Sequence, residues 1–185
     1  MSQLVLASRS PQRRAILEQL GVEFSVQVPE VEELVAGPAH EVALENAFRK
    51  ASAVADGASG ELVLGVDTVV ALGARLYGKP ADPDEARTTL IALAGRRHAV
   101  ISGVCLIEDG RSRTAAAQTT VEFRALSETL IGWYLASGEW RDRAGGYAIQ
   151  GRGAALVAAI EGDYLNVVGL PVATLLELVP DLVGG

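Results

Sequence analysis

Residues Leu62–Leu72 read LVLGVDTVVAL, an apolar run with the length of a core strand, interrupted only by the carboxylate of Asp67. Leu72-Gly73-Ala74-Arg75 follows at once and carries the signal of a hairpin return. A second hairpin is predicted where strands over Arg97–Ile107 and Arg111–Phe123 flank Glu108-Asp109-Gly110. Helical patterns lie on both sides of these hairpins. Purely alternating βαβ units contain no hairpins, so the mixture predicts an α/β protein with a mixed sheet. At 185 residues the chain has the length of one domain, expected to span 1–185.

The remaining elements follow from caps and periodicity. Leu4–Ala7 is a short apolar strand, and Ser10 and Pro11 supply an N-cap and first helical position for a helix to about Leu20, with Gly21 as its stop. Val22–Val28 alternates like a strand. A helix is predicted over Ala39–Ala55, with Leu44, Ala47, Phe48, Ala51, Val54 and Ala55 as its apolar stripe and Lys50 near the stripe's edge. Asp82-Pro83-Asp84-Glu85 resembles a capping box for a helix ending after Leu93. A further helix runs from Ser127 to Gly138, glycines from Gly145 to Gly162 punctuate short strands, and Pro171 opens a last helix ending near Val179.

Composition excludes several functions. The net charge of −7 argues against a polymeric nucleic acid as partner, whose footprint needs a basic excess. No apolar run approaches the ~20 residues of a membrane span, and the N-terminal segment turns polar too early for a secretory signal, so a cytoplasmic location is expected. Cys105 reads as a buried structural thiol. His40 and His98 lack the neighbours of a zinc site, so a bound metal would be held by carboxylates.

Several residues carry chemistry. The turn Ser8-Arg9-Ser10-Pro11-Gln12-Arg13-Arg14 offers hydroxyls, free N–H groups and Arg13 or Arg14 for an anion, or is an ordinary capped helix. No Walker A or G-x-G-x-x-G motif is present. Asp67 is costly to bury alone, so it is paired, metal-bound, at a cleft edge, or bonded to a nearby turn. Glu32 and Glu33 form an acidic pair. Lys50 and Lys79 are the only lysines, and Gln150 carries an amide able to read a base edge.

Taken together, these segments resemble the Maf family of nucleoside triphosphate pyrophosphatases over nearly the whole chain. The resemblance rests on Leu-Ala-Ser-Arg-Ser-Pro-Gln-Arg-Arg, Val-Glu-Glu at 31–33, Ala47-Phe48-Arg49-Lys50-Ala51 and Gly65-Val66-Asp67-Thr68-Val69. It extends through Gly78-Lys79-Pro80, the Ala144–Gly151 segment AGGYAIQG and the Gly162–Pro171 segment GDYLNVVGLP. The last two segments resemble the branch acting on dTTP and UTP more than the branch acting on 7-methyl-GTP.

The resemblance implies a two-lobed α/β domain with a twisted mixed sheet around a central cleft, similar to the inosine triphosphatase fold, and a homodimer. The implied reaction cleaves between the α and β phosphates with Mg²⁺ or Mn²⁺. Asp67 would be the base and, with Glu33, would hold the metal; Arg13, Lys50 and Lys79 would neutralise phosphate. Ser8 and Ser10 fall in the substrate-binding turn, and Gln12, Thr68 and Gln150 match positions of substrate choice. The usual arginine at position 12 is a neutral amide here, and Arg143 replaces a lysine. A nucleotide-binding regulator of septum formation and a 7-methyl-GTP pyrophosphatase are the alternative readings. Residues 1–14 carry three arginines and no acid, whereas residues 15–45 carry seven acids and neither lysine nor arginine. The acidic excess is thus confined, leaving room for a locally basic cleft.

Overall fold

The computed structural model describes residues 3–57 and 60–184. A seven-stranded mixed sheet runs through it, formed by β1 (Leu4–Ala7), β2 (Phe24–Gln27), β3 (Leu62–Leu72), β4 (Arg75–Tyr77), β5 (Arg97–Glu108), β6 (Arg111–Phe123) and β7 (Val157–Glu161). The order is β2-β1-β3-β5-β6-β7, with β4 paired to β3 beside this path. Strand β1 is parallel to β2 and β3, whereas every other pairing is antiparallel. Both expected hairpins form, and their turns use left-handed Gly73 and Gly110.

Among the described residues six helices accompany the sheet: α1 (Pro11–Gln19), α2 (Ala39–Ala55), α3 (Pro83–Leu93), α4 (Glu128–Ala136), α5 (Tyr164–Val168) and α6 (Val172–Leu178). Ser10, Asp82 and Ser127 cap α1, α3 and α4 by accepting backbone N–H groups three residues on. Two large apolar clusters divide the interior. One gathers Leu4, Leu17, Leu64, Val66 and Leu175 around α1 and α6; the other gathers Val70, Leu90, Phe123 and Tyr134 around α3 and α4. Strand β3 contributes to both, and Asp67 falls between Val66 and Val70, where the chain passes from one cluster to the other. Cys105 is buried as expected, and burial pushes its thiol up to about 11.

Three local expectations are corrected. The segment from Gly145 to Leu156 forms 3-10 turns at Ala144–Gly146 and Arg152–Leu156, and only Val157–Glu161 is a strand. Gly145 and Gly146 both adopt φ near +70°, which extended backbone does not use. Residues 164–168, to which the sequence pattern assigns no element, form α5, capped by the Asp163 carboxylate, which accepts the N–H of Leu165 at 2.8 Å. The buried face of α2 is Val42, Ala43, Asn46, Ala47, Lys50, Ala51 and Val54, so Phe48 lies outside it and is 40% exposed.

Candidate functional site

The floor of the site is built where α2 touches the sheet. Period-two alternation places Gly65 and Asp67 on the face of β3 that meets α2. Gly65 lets the two backbones approach closely: a Cβ there would lie 2.7 Å from the Ala51 nitrogen, and closer still to the Ala47 carbonyl. Gly103 on β5, directly across from Asp67, does the same beneath Ala43 and Leu44. This contact delivers Asn46 and Lys50 to Asp67. Lys50 Nζ donates to Asp67 Oδ1 at 2.6 Å and stands 2.8 Å from Glu33 Oε1. Asn46 Nδ2 donates to Asp67 Oδ2 at 3.1 Å, while its Oδ1 accepts from the Leu34 N–H at 2.7 Å. Asn46 thereby ties the segment carrying Glu33 to the strand carrying Asp67. Each Asp67 oxygen has one such partner and keeps a lone pair for another.

The turn between β1 and α1 forms one wall, and Arg13 holds it together. Buried at 8% exposure, it donates from Nε to the Gly169 carbonyl at 2.9 Å, from one terminal nitrogen to Ser8 Oγ at 3.1 Å, and from the other to Thr68 Oγ1 at 3.2 Å. Burial pulls its pKa down, opposed by the charges of Asp67 and Glu33. Thr68 also shares a 2.8 Å hydrogen bond with the fully buried Ser102. Ser10 Oγ donates to the side-chain amide oxygen Oε1 of Gln12 at 3.1 Å. Arg14, the other candidate cation of this turn, points away and pairs with Glu18 on the exposed side of α1.

Lys79, Arg141, Arg143 and the Tyr147–Gln150 segment form the opposite wall. That segment is fixed from behind: Tyr134 Oη accepts from the Ala148 N–H at 3.0 Å, and His98 Nε2 lies 2.8 Å from Tyr147 Oη. Burial lowers the His98 pKa to about 4 and raises both phenols. Arg143 is half-buried, and desolvation lowers its pKa too. Arg9, Lys79 and Arg143 form no ion pair among the described residues.

A cleft of about 770 Å³ lies between these walls, and all ten site residues picked from sequence line it: Ser8, Ser10, Gln12, Arg13, Glu33, Lys50, Asp67, Thr68, Lys79 and Gln150. Of the acidic pair, Glu33 lines this cleft and Glu32 does not. Glu33 faces Lys50, whereas Glu32 lends only its backbone carbonyl to Arg49. Sequence reasoning missed Asn46, Ser102, Arg9 and Arg141. Asn46 had a signal, since it lies one helical turn before Lys50 on the same face of α2. Ser102 had none beyond its place opposite Thr68 in the hairpin.

Glu33 and Asp67 converge on a single cation, the Lys50 ammonium. No group of three or more His, Cys, Asp or Glu that could hold a metal is found among the described residues. Glu33 and Asp67, in a cleft lined by no histidine or cysteine, suit a hard cation that keeps water and phosphate ligands. Acidic floor, basic walls and an amide at one end make this a pocket for a small polyanion.

The family described as Maf-like protein matches residues 3–182, and the chain belongs to that family. It is 48% identical to the dTTP/UTP pyrophosphatase of Symbiobacterium thermophilum, over 92% of this chain and 89% of the relative. The enzymes of the same name from Gloeobacter violaceus and Pyrococcus furiosus are 46% and 42% identical, over 96% and 97% of this chain and 95% of each relative. No helix among the described residues is long and apolar enough to cross a membrane.

Proposed function

We propose that this chain hydrolyses dTTP and UTP between the α and β phosphates, releasing the nucleoside monophosphate and pyrophosphate. The observation that carries the reading is the Asp67–Lys50–Glu33 cluster at the floor of a nucleotide-sized cleft, with unpaired cations on its walls. The name shared by the relatives favours pyrimidine triphosphates over 7-methyl-GTP and favours turnover over a purely regulatory role.

In this mechanism Asp67, steadied by Lys50 and Asn46, takes the proton of an attacking water. The water oxygen bonds to phosphorus, and the bond from phosphorus to the bridging oxygen breaks with its electron pair leaving on the departing phosphate. Arg9, Lys79 and Arg143 balance the charge that the phosphates bring and that shifts during bond cleavage. Arg13 acts chiefly as the brace that keeps Ser8 and Thr68 in place, since Nε and both terminal nitrogens are engaged by the protein. Glu33 and Asp67 would hold Mg²⁺ or Mn²⁺, which when bound polarises phosphate oxygens and orients the triphosphate. Gln150 offers one donor and one acceptor face to the pyrimidine edge, and Gln12 and Thr68 contribute to substrate choice.

The test is pyrophosphate release from a panel of nucleoside triphosphates with Mg²⁺ or Mn²⁺. The expected outcome is a kcat/KM for UTP and dTTP at least ~10-fold above the purine triphosphates. Absence of pyrophosphate from every pyrimidine triphosphate would overturn the reading.

A further inference from the structure

The Gln150 side chain is exposed on the cleft wall, yet the backbone that carries it is held from outside the cleft. Behind it the chain is fixed by Tyr134 on Ala148 and by His98 on Tyr147. On its far side the fixing group is Glu139, in the connection that follows α4. Glu139 Oε2 accepts the N–H of Arg152 at 2.7 Å. The same carboxylate lies under Gly151, where a Cβ would stand 2.8 Å from Glu139 Cδ. Gly151 donates its N–H back to the Ala148 carbonyl at 3.1 Å, closing the turn on which Gln150 sits. The Glu139 backbone is anchored in its own right, with its N–H donated to Ser137 Oγ at 3.1 Å.

We infer that Glu139 is a specificity-positioning residue, which accepts the Arg152 N–H to fix the Gly151 turn and so aims the Gln150 amide at the pyrimidine edge. A charge-assisted bond to backbone is stronger and more directional than a neutral one, so it suits holding an otherwise exposed residue in one orientation. In this role Glu139 acts on the substrate through Gln150 rather than by touching it. Its charge also supports the protonated form of Arg143 on the same wall, so the acceptor role and the charge role must be separated by substitution. The inference rests on the assignment of Gln150 as the base reader.

The test compares Glu139→Gln, Glu139→Asp and Glu139→Ala with Gln150→Ala, alone and combined, by steady-state kinetics on UTP and GTP. Glu139→Gln keeps the acceptor and loses the charge; Glu139→Asp keeps the charge and withdraws the acceptor. Positioning predicts that Glu139→Ala and Glu139→Asp raise KM for UTP about tenfold with kcat within about twofold, that the UTP preference over GTP falls in step, and that Glu139→Gln stays within about threefold of wild type. On the Gln150→Ala background, Glu139→Ala should cost nothing further. An undiminished loss on that background, or Glu139→Gln behaving like Glu139→Ala, overturns the inference. If Gln150→Ala alone leaves the UTP preference intact, it is the base-reading assignment that fails, and Gln150→Ala reports this separately. Should Glu139→Ala not fold, the Gln and Asp pair carries the same contrast.

Discussion

Replacing Gly65 with alanine probes how the fold sets the site. In the wild type α2 rests on bare backbone there, and an added methyl would sit 2.7 Å from the Ala51 nitrogen and 2.9 Å from its Cβ, with the Ala47 carbonyl nearer still. Ordinary contact requires ~3.5 Å, so the helix must retreat from β3 by roughly 1 Å. The obstructing atoms are backbone and a Cβ on either side of Lys50, so no side-chain rotation relieves the clash. Overpacking of this kind costs about 1–3 kcal/mol, which for a domain of this size lowers Tm by about 2–12 °C. The functional effect should be larger. The 2.6 Å bond from Lys50 to Asp67 and the Asn46 bond to the same carboxylate both depend on this approach, and an ångström of misplacement costs on the order of 100-fold in rate. Thermal unfolding and pyrophosphate release on one protein sample measure both. Loss of stability with full turnover would refute the claim that the glycine contact positions Lys50, as would an unchanged Tm.

Two further outcomes follow from buried polar groups. His98 has a folded pKa of about 4 against an ordinary 6.5, so the unfolded chain binds the extra proton and stability is lost as pH falls from about 6.5 towards 4; between pH 7 and 5 this contributes roughly 2 kcal/mol, and denaturant titrations should show Glu- and Asp-dependent loss alone in His98→Gln. Arg13→Lys cannot reproduce three divergent hydrogen bonds from one side chain; it should cost about 3 kcal/mol in chemical denaturation and reduce turnover with it, and a stable, active lysine variant would contradict the bracing role.

How far the sequence carried these conclusions differs by element. Hairpins were legible because Gly73 and Gly110 sit between apolar strands, and Asp67 was legible because a carboxylate in a core strand has few harmless explanations. The face of α2 was not. Its buried side includes Asn46 and Lys50, so a pattern weighted by hydrophobicity turned the helix towards Phe48, and the error arose because function had placed polar groups on the core side. The 144–156 segment departs from the expected strands because Gly145 and Gly146, at left-handed φ, close a tight 3-10 turn, and a second such turn follows at Arg152–Leu156, where spacing alone allows strands. Arg13 was found by its motif, yet its commitment to Ser8, Thr68 and Gly169 depends on contacts up to 156 residues away, which local pattern does not encode.

The proposed reaction turns on Asp67 taking the proton of the attacking water during hydrolysis of a pyrimidine triphosphate. Asp67→Asn keeps the shape and the acceptor towards Lys50 while removing the basic carboxylate. Single-turnover pyrophosphate release from UTP, with the variant shown to be folded and to bind the nucleotide, should fall by at least ~10²-fold. Release at a near-wild-type rate would rule out Asp67 as the base.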